Sequence, residues 1–161
     1  MEQRRFVTHE DGGWDGVERE GYVEGEPGRV VRHTLVGKRK ESPSDPGPGL
    51  EVRYFQVPPG AVTRLEHHDH EHFVIVGEGT GHAIVEGEVR EVGRDDVVYV
   101  GPGEAHQFVN RGSGTFGFYC VVTAHRDPAR LLDAAEVARL AATPAGAFID
   151  PDGAPPPRAA R

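Results

Sequence analysis

The sequence predicts an all-β fold, a barrel or sandwich of short strands accompanied by one short C-terminal helix, on three observations. Short runs of β-branched and aromatic residues recur at even spacing between residues 50 and 122. Groups rich in Gly and Pro separate them, drawn from 22 glycines and 13 prolines spread along 161 residues. Apolar residues at helical spacing occur in one place only, near the C-terminus.

Taken in order, residues 1–28 are polar and glycine-rich and read as an N-terminal arm, with Trp14 and Tyr22 available to anchor it. The first strand is Val30 to Val36. The loop from Lys38 to Gly49 carries Pro43, Pro46 and Pro48 and cannot pair in a sheet. Strand Leu50 to Val57 then enters the turn Pro58-Pro59-Gly60. Further strands are expected at Phe73 to Val76, His82 to Val85, Val89 to Val92, Val97 to Val100, His106 to Val109 and Phe116 to Val122. A helix is expected from Pro128 to Ala142, with Asp127 as N-cap and Leu131, Leu132, Ala135, Val137 and Leu140 as its apolar stripe. The tail from Thr143, including Pro155-Pro156-Pro157, buries too little to order itself except by docking. The organisation is an arm (1–28), a barrel (29–125), and a C-terminal helix with a Pro/Ala-rich tail (126–161).

An apolar content of 37% supports one core, hence one domain. Asp and Glu number 26 against 18 Lys and Arg, giving a formal charge of −8, and no basic run is long enough to track phosphates. Nucleic acid is therefore not an expected partner. No apolar stretch reaches the ~18 residues of a membrane span, and no apolar segment follows the N-terminal arginines, so a cytoplasmic protein is expected. Cys120 is the single cysteine and lies in the apolar run Phe118 to Val122, where a thiol is read as a small buried hydrophobe.

The chemistry is carried by histidine. Four of nine fall between positions 67 and 72, in Glu66-His67-His68-Asp69-His70-Glu71-His72. In an extended chain Glu66, His68, His70 and His72 share one face. Burying imidazoles and a carboxylate without partners costs several kcal/mol, and a metal ion satisfies them together. A second element comes 34 residues after His72, where Gly101-Pro102-Gly103 leads into a strand that begins with His106. Against this, His9 and His125 read as surface residues, and His33 and His82 as strand histidines without a ligand role. Tyr54, Gln56, Tyr99, Gln107 and Tyr119 are candidates to line a pocket or to orient the ligating imidazoles.

With these two elements, residues 48 to 123 resemble the cupin superfamily. That family's first motif runs glycine, five residues, His-x-His, three or four residues, Glu, six residues, glycine. Its second ends Pro-x-Gly-x-x-His-x-x-x-Asn. Here Gly60 opens the first motif and Gly79 closes it, while Gly103, His106 and Asn110 fit the second. The chain departs from the pattern in placing Glu66 in the first histidine slot, His72 in the glutamate slot and Gly101 where a proline is usual. A subset of small cupins is similar in having histidine in the glutamate slot.

The resemblance implies a jelly-roll barrel, also called a double-stranded β-helix. It implies one divalent transition metal per chain (Fe, Mn, Ni, Cu, Co or Zn), held by Glu66, His68, His72 and His106, with His70 as the alternative fourth ligand. The chemistry it implies first is a metal-dependent, dioxygenase-type oxidoreductase acting on a small organic molecule, with Glu66 as ligand and catalytic base. Isomerase or lyase chemistry, or binding of a small ligand without turnover, are the alternatives. A homodimer is expected, because cupins commonly pair through barrel faces.

Overall fold

A computed structural model describes residues 3–22 and 30–152. The strands are β1 (His9–Glu10), β2 (Gly13–Trp14), β3 (Glu20–Gly21), β4 (Val31–Val36), β5 (Leu50–Val57), β6 (Glu66–His67) and β7 (His72–Glu78). They continue with β8 (Thr80–Val85), β9 (Glu88–Gly93), β10 (Val97–Val100), β11 (His106–Val109), β12 (Phe116–Thr123) and β13 (Arg130–Leu131). One helix, α1 (Ala134–Ala141), and a 3₁₀ turn at Pro144–Ala147 follow. Among the described residues two antiparallel sheets form the barrel, with strand orders β10-β7-β12-β5-β4-β3 and β13-β6-β11-β8-β9.

Alternation along the strands decides what the barrel holds. On β7, His72, Val74 and Val76 are buried while Phe73 and Ile75 face outward. Strands β5 and β12 pair so that Arg53 meets Cys120, Phe55 meets Phe118 and Val57 meets Phe116. Their inward side chains therefore run from charged at one end to apolar at the other. Val57, Val74, Val76, Phe116 and Phe118 close the apolar end as the main core. The polar end is left for chemistry.

The turn at Gly79 shows why the first motif must end on glycine. Its φ is +63°, and a Cβ there would lie 2.1 Å from the Thr115 carbonyl oxygen.

The N-terminal segment covers the outer face of the larger sheet. The Trp14 ring packs 5.2 Å from His33, 4.8 Å from Tyr54 and 6.3 Å from Tyr119, between centroids. Tyr54 and Tyr119 are thus on the far side of the sheet from the barrel interior. Tyr99 is exposed, and Gln107 is spent on backbone groups of Thr63 and Asp150. Neither these four nor Gln56 line the cavity described below.

The helix is shorter than its sequence pattern. It starts at Ala134 because Asp133 and Glu136 form a reciprocal capping box. Residues 130–131 instead pair with β6 as β13. Asp127, read from the sequence as the N-cap, accepts hydrogen bonds from the Asp69 and His70 backbone N–H groups. The tail up to Asp152 docks: Phe148 packs against His82 and under Arg111, and Ala145 is fully buried. Pro155-Pro156-Pro157 lies outside the described residues. No helix among the described residues is long and apolar enough to cross a membrane.

Candidate metal centre and its cavity

Three imidazoles converge at the polar end. His68 comes from the loop after β6, His72 opens β7 and His106 opens β11, and their candidate ligand atoms all lie within 4.8 Å of one another. The two sequence elements are tied by the backbone, since the Gly103 N–H donates to the His68 carbonyl at 2.7 Å. All three side chains are buried, His68 to 1% exposure.

Hydrogen bonds fix the tautomers. His68 Nδ1 lies 2.7 Å from the His70 carbonyl and His106 Nδ1 lies 2.9 Å from the Glu104 carbonyl. A carbonyl oxygen only accepts, so both Nδ1 atoms carry the proton and both Nε2 atoms present a lone pair. His68 Nε2 is buried and has no partner among the described residues. A buried imidazole nitrogen without a donor is the feature that a metal ion satisfies, and backbone acceptors at Nδ1 are how ligating histidines are oriented. The donor set fits a divalent transition metal.

His70 and Glu66 compete for a fourth position. His70 Nδ1 donates to Asp127 Oδ1 at 2.7 Å, and its Nε2 lies 3.2 Å from His72 Nε2. Two nitrogens on one ion with metal–nitrogen bonds of about 2.1 Å stand roughly 3.0–3.4 Å apart. Glu66 lies directly across the ladder from His106. Its carboxylate, however, faces the Arg64 guanidinium at 4.0 Å and the Tyr22 phenol. Neither His70 nor Glu66 is within the 4.8 Å group itself.

Electrostatics agree with a neutral, ligating trio. Burial pushes His68 and His106 down to about 4, and pushes His72 down further with help from the neighbouring imidazoles. Burial raises Glu66, against the pull of Arg64 and Arg53. Asp127 is held down at about 2 by the backbone N–H of Asp69 and the His70 ring, despite partial desolvation.

These shifts set a pH dependence for the metal-free fold. The folded imidazoles titrate below the unfolded value of 6.5, so between pH 6.5 and about 4 the unfolded chain binds more protons. Stability is then complete above 6.5 and falls as pH drops through that window, with raised Glu66 opposing in part. Thermal melting of chelator-treated protein is expected to give a Tm at pH 5.0 lower than at pH 7.5 by roughly 5 °C or more. An equal or higher Tm at pH 5.0 would contradict neutral, buried imidazoles.

The cluster opens onto a cavity of about 490 Å³. Arg32, Lys38, Arg39, Arg53, Arg64 and Arg126 line it, against four carboxylates. Arg32 is paired with Glu20, and Arg126 with Glu51 at 2.6 Å. Cys120 also reaches this wall, its Sγ accepting from Arg53 Nη2 at 3.3 Å. The sequence pattern places Cys120 in core packing alone and gives no sign of Arg53 in a cavity wall or of Asp127 beside His70. Cys120 is indeed buried, but its sulfur belongs to the cavity as well.

A cupin domain model matches residues 53–122. A Rhodospirillum rubrum protein named 1-methylthio-D-xylulose 5-phosphate methylsulfurylase is 37% identical over 142 residues, covering 85% of this chain and 86% of that protein. The chain belongs to the cupin family. A solved cupin-2 domain from Rhodospirillum rubrum superimposes with a TM-score of 0.72 at 36% identity, covering 89% of this cupin and 93% of that one. A cupin 2 conserved barrel protein from Rhodopseudomonas palustris gives 0.69 at 32% identity, covering 83% and 90%. The all-β cupin barrel expected from the two motifs is the fold observed.

Proposed function

We propose that this cupin is a metal-dependent enzyme that removes the methylsulfanyl group from a 1-methylthio ketose 5-phosphate, the substrate class in its relative's name. One observation carries the reading: the single thiol of the chain and the three-imidazole cluster share one cavity. A divalent metal held by His68, His72 and His106 would polarise the substrate carbonyl beside the carbon–sulfur bond. His70, whose Nε2 lies 3.2 Å from His72 Nε2, would supply a fourth nitrogen.

Cys120 is the acceptor. Its thiolate attacks the methylthio sulfur, the carbon–sulfur bond breaks, and the electron pair stays on the carbon next to the carbonyl, which then takes a proton. Cys120 is left as a methyl disulfide, and a small reducing thiol restores it by exchange. Burial pushes the Cys120 thiol up and Arg53 pulls it back, so the guanidinium supplies the charge that a thiolate needs in this wall.

The test is turnover of 1-methylthio-D-xylulose 5-phosphate by the metal-loaded protein with a reducing thiol, followed as loss of the methylsulfanyl group. The oxygenase chemistry implied by the resemblance is the second reading, which a metal on the three imidazoles would also serve. Oxygen uptake in step with substrate loss would replace the first reading with the second.

An exposed apolar face supports a homodimer. Phe73, Ile75, Val97 and Tyr99 are exposed side by side on the outer face of β7 and edge strand β10. Pairing with a second copy through this face should give a light-scattering mass near twice 17.5 kDa. Phe73→Glu is expected to return the monomer mass, and a wild-type monomer at micromolar concentration would reject the dimer.

A further inference from the structure

Arg53 has more donors than the proposed reaction uses, since Cys120 engages Nη2 and leaves Nε open. It is 9% exposed inside the barrel, yet no carboxylate is bonded to it among the described residues. Its contacts are a sulfur at 3.3 Å and the Phe55 ring, with Cζ 5.2 Å from the centroid. Its Nε is buried without a partner. The carboxylate two residues away on the same strand, Glu51, is already held by Arg126 at 2.6 Å. A buried guanidinium carrying an open N–H is costly unless something anionic arrives.

Arg64, in the same cavity, is matched only loosely by its ion pair with Glu66. Its Nε is buried without a hydrogen-bond partner, and Glu66 at 4.0 Å is beyond hydrogen-bond reach. A chain of net charge −8 thus collects six cations around one cavity, and the two carboxylates at hydrogen-bond distance, Glu20 and Glu51, neutralise only Arg32 and Arg126. Lys38 and Arg39 stand exposed at its edge, where they draw anions inward.

We propose that Arg53 and Arg64 form a phosphate-binding subsite in this cavity, which takes the phosphate monoester of the substrate and holds the sugar against the imidazole cluster. Guanidinium groups suit this task because their planar N–H donors match phosphate oxygens. The assignment deepens the reading given above, since it names which residues recognise the 5-phosphate. It does not depend on methylsulfanyl chemistry. Any phosphorylated small molecule that fits about 490 Å³ would use it.

Calorimetric titration of the full-length, as-purified protein tests it with D-ribose 5-phosphate, inorganic phosphate and phosphate-free ribose, metal content being measured on each sample. Ribose 5-phosphate is expected to bind at least about tenfold more tightly than ribose, with inorganic phosphate between them if the sugar adds contacts. Arg53→Gln should weaken ribose 5-phosphate by about tenfold or more while metal content stays at the wild-type level. Arg64→Gln should weaken it several-fold, and Arg53→Lys should recover only part of the loss. Should Arg53→Gln fail to fold, Arg53→Lys and Arg64→Gln decide. Unchanged affinity in the folded Arg variants, or ribose binding as tightly as its phosphate, would overturn the subsite. Phosphate binding with no turnover of the methylthio substrate would leave the subsite standing and remove the proposed reaction.

Discussion

Replacing His72 with alanine is expected to take bound metal from about one ion per chain to below about a tenth, measured by elemental analysis of protein grown in metal-replete medium. His72 belongs to the buried trio, so its loss removes one of three converging nitrogens. Even a supporting residue behind a ligand changes metal affinity by about 10–100-fold, and a direct ligand should exceed that. Circular dichroism should show the strand signal retained, because β7 keeps Val74 and Val76 in the core. Full metal content in folded His72→Ala would sink the site.

Companion variants separate the candidates for the fourth position. His70→Ala should lower metal content, Asp127→Asn should lower it less by releasing the His70 ring, and Glu66→Ala should leave it near one. The opposite ranking of His70 and Glu66 would restore the carboxylate that the motif spacing favours, and would show that the metal draws Glu66 away from Arg64.

The difference between what spacing and what structure say about residues 66–72 has a physical source. Motif counting works on backbone position alone, and strand alternation assumes an extended chain, which residues 68–71 interrupt between β6 and β7. His106 does face Glu66 across the ladder, and His68, His72 and His106 do converge. Neither method sees the partners that pull side chains aside after the backbone is placed. Asp127 is 57 residues from His70 along the chain, and Arg64, two residues before Glu66, lines the same cavity. Asp127 also explains the helix. As a residue before proline it looks like an N-cap, but its carboxylate is consumed by the loop that carries His68 and His70.

The main strands were legible because apolar alternation and Gly/Pro turns are local, whereas β6, β13 and the N-terminal pair are two residues long and leave no periodic trace. The cavity's charge was hidden for another reason. Arg53, Arg64 and Arg126 are ordinary cations in an acidic sequence until the barrel faces them inward.

Cys120→Ala is expected to abolish turnover of the methylthio substrate, lowering kcat at least about a thousandfold while metal content and fold remain. The substitution removes one sulfur atom from a side chain of modest volume, so the stability cost should stay near about 1 kcal/mol, and thermal melting checks this. A purely structural Cys120 would give that small stability loss and leave the rate untouched. A positive signature is also available. Wild-type protein incubated with substrate and no reducing thiol should gain one methylsulfanyl group on the peptide containing Cys120, and a small thiol should remove it. Because burial raises the thiol and Arg53, with a smaller pull from Arg126, opposes it only in part, the rate of this half-reaction should climb as pH rises from 7 toward 9. The same dependence makes Arg53→Gln slow the adduct step at fixed pH even at saturating substrate. Turnover by Cys120→Ala at the wild-type rate would show that the sulfur in the cavity wall is core packing after all, and that the methylsulfanyl group leaves by a route that does not pass through the chain's thiol.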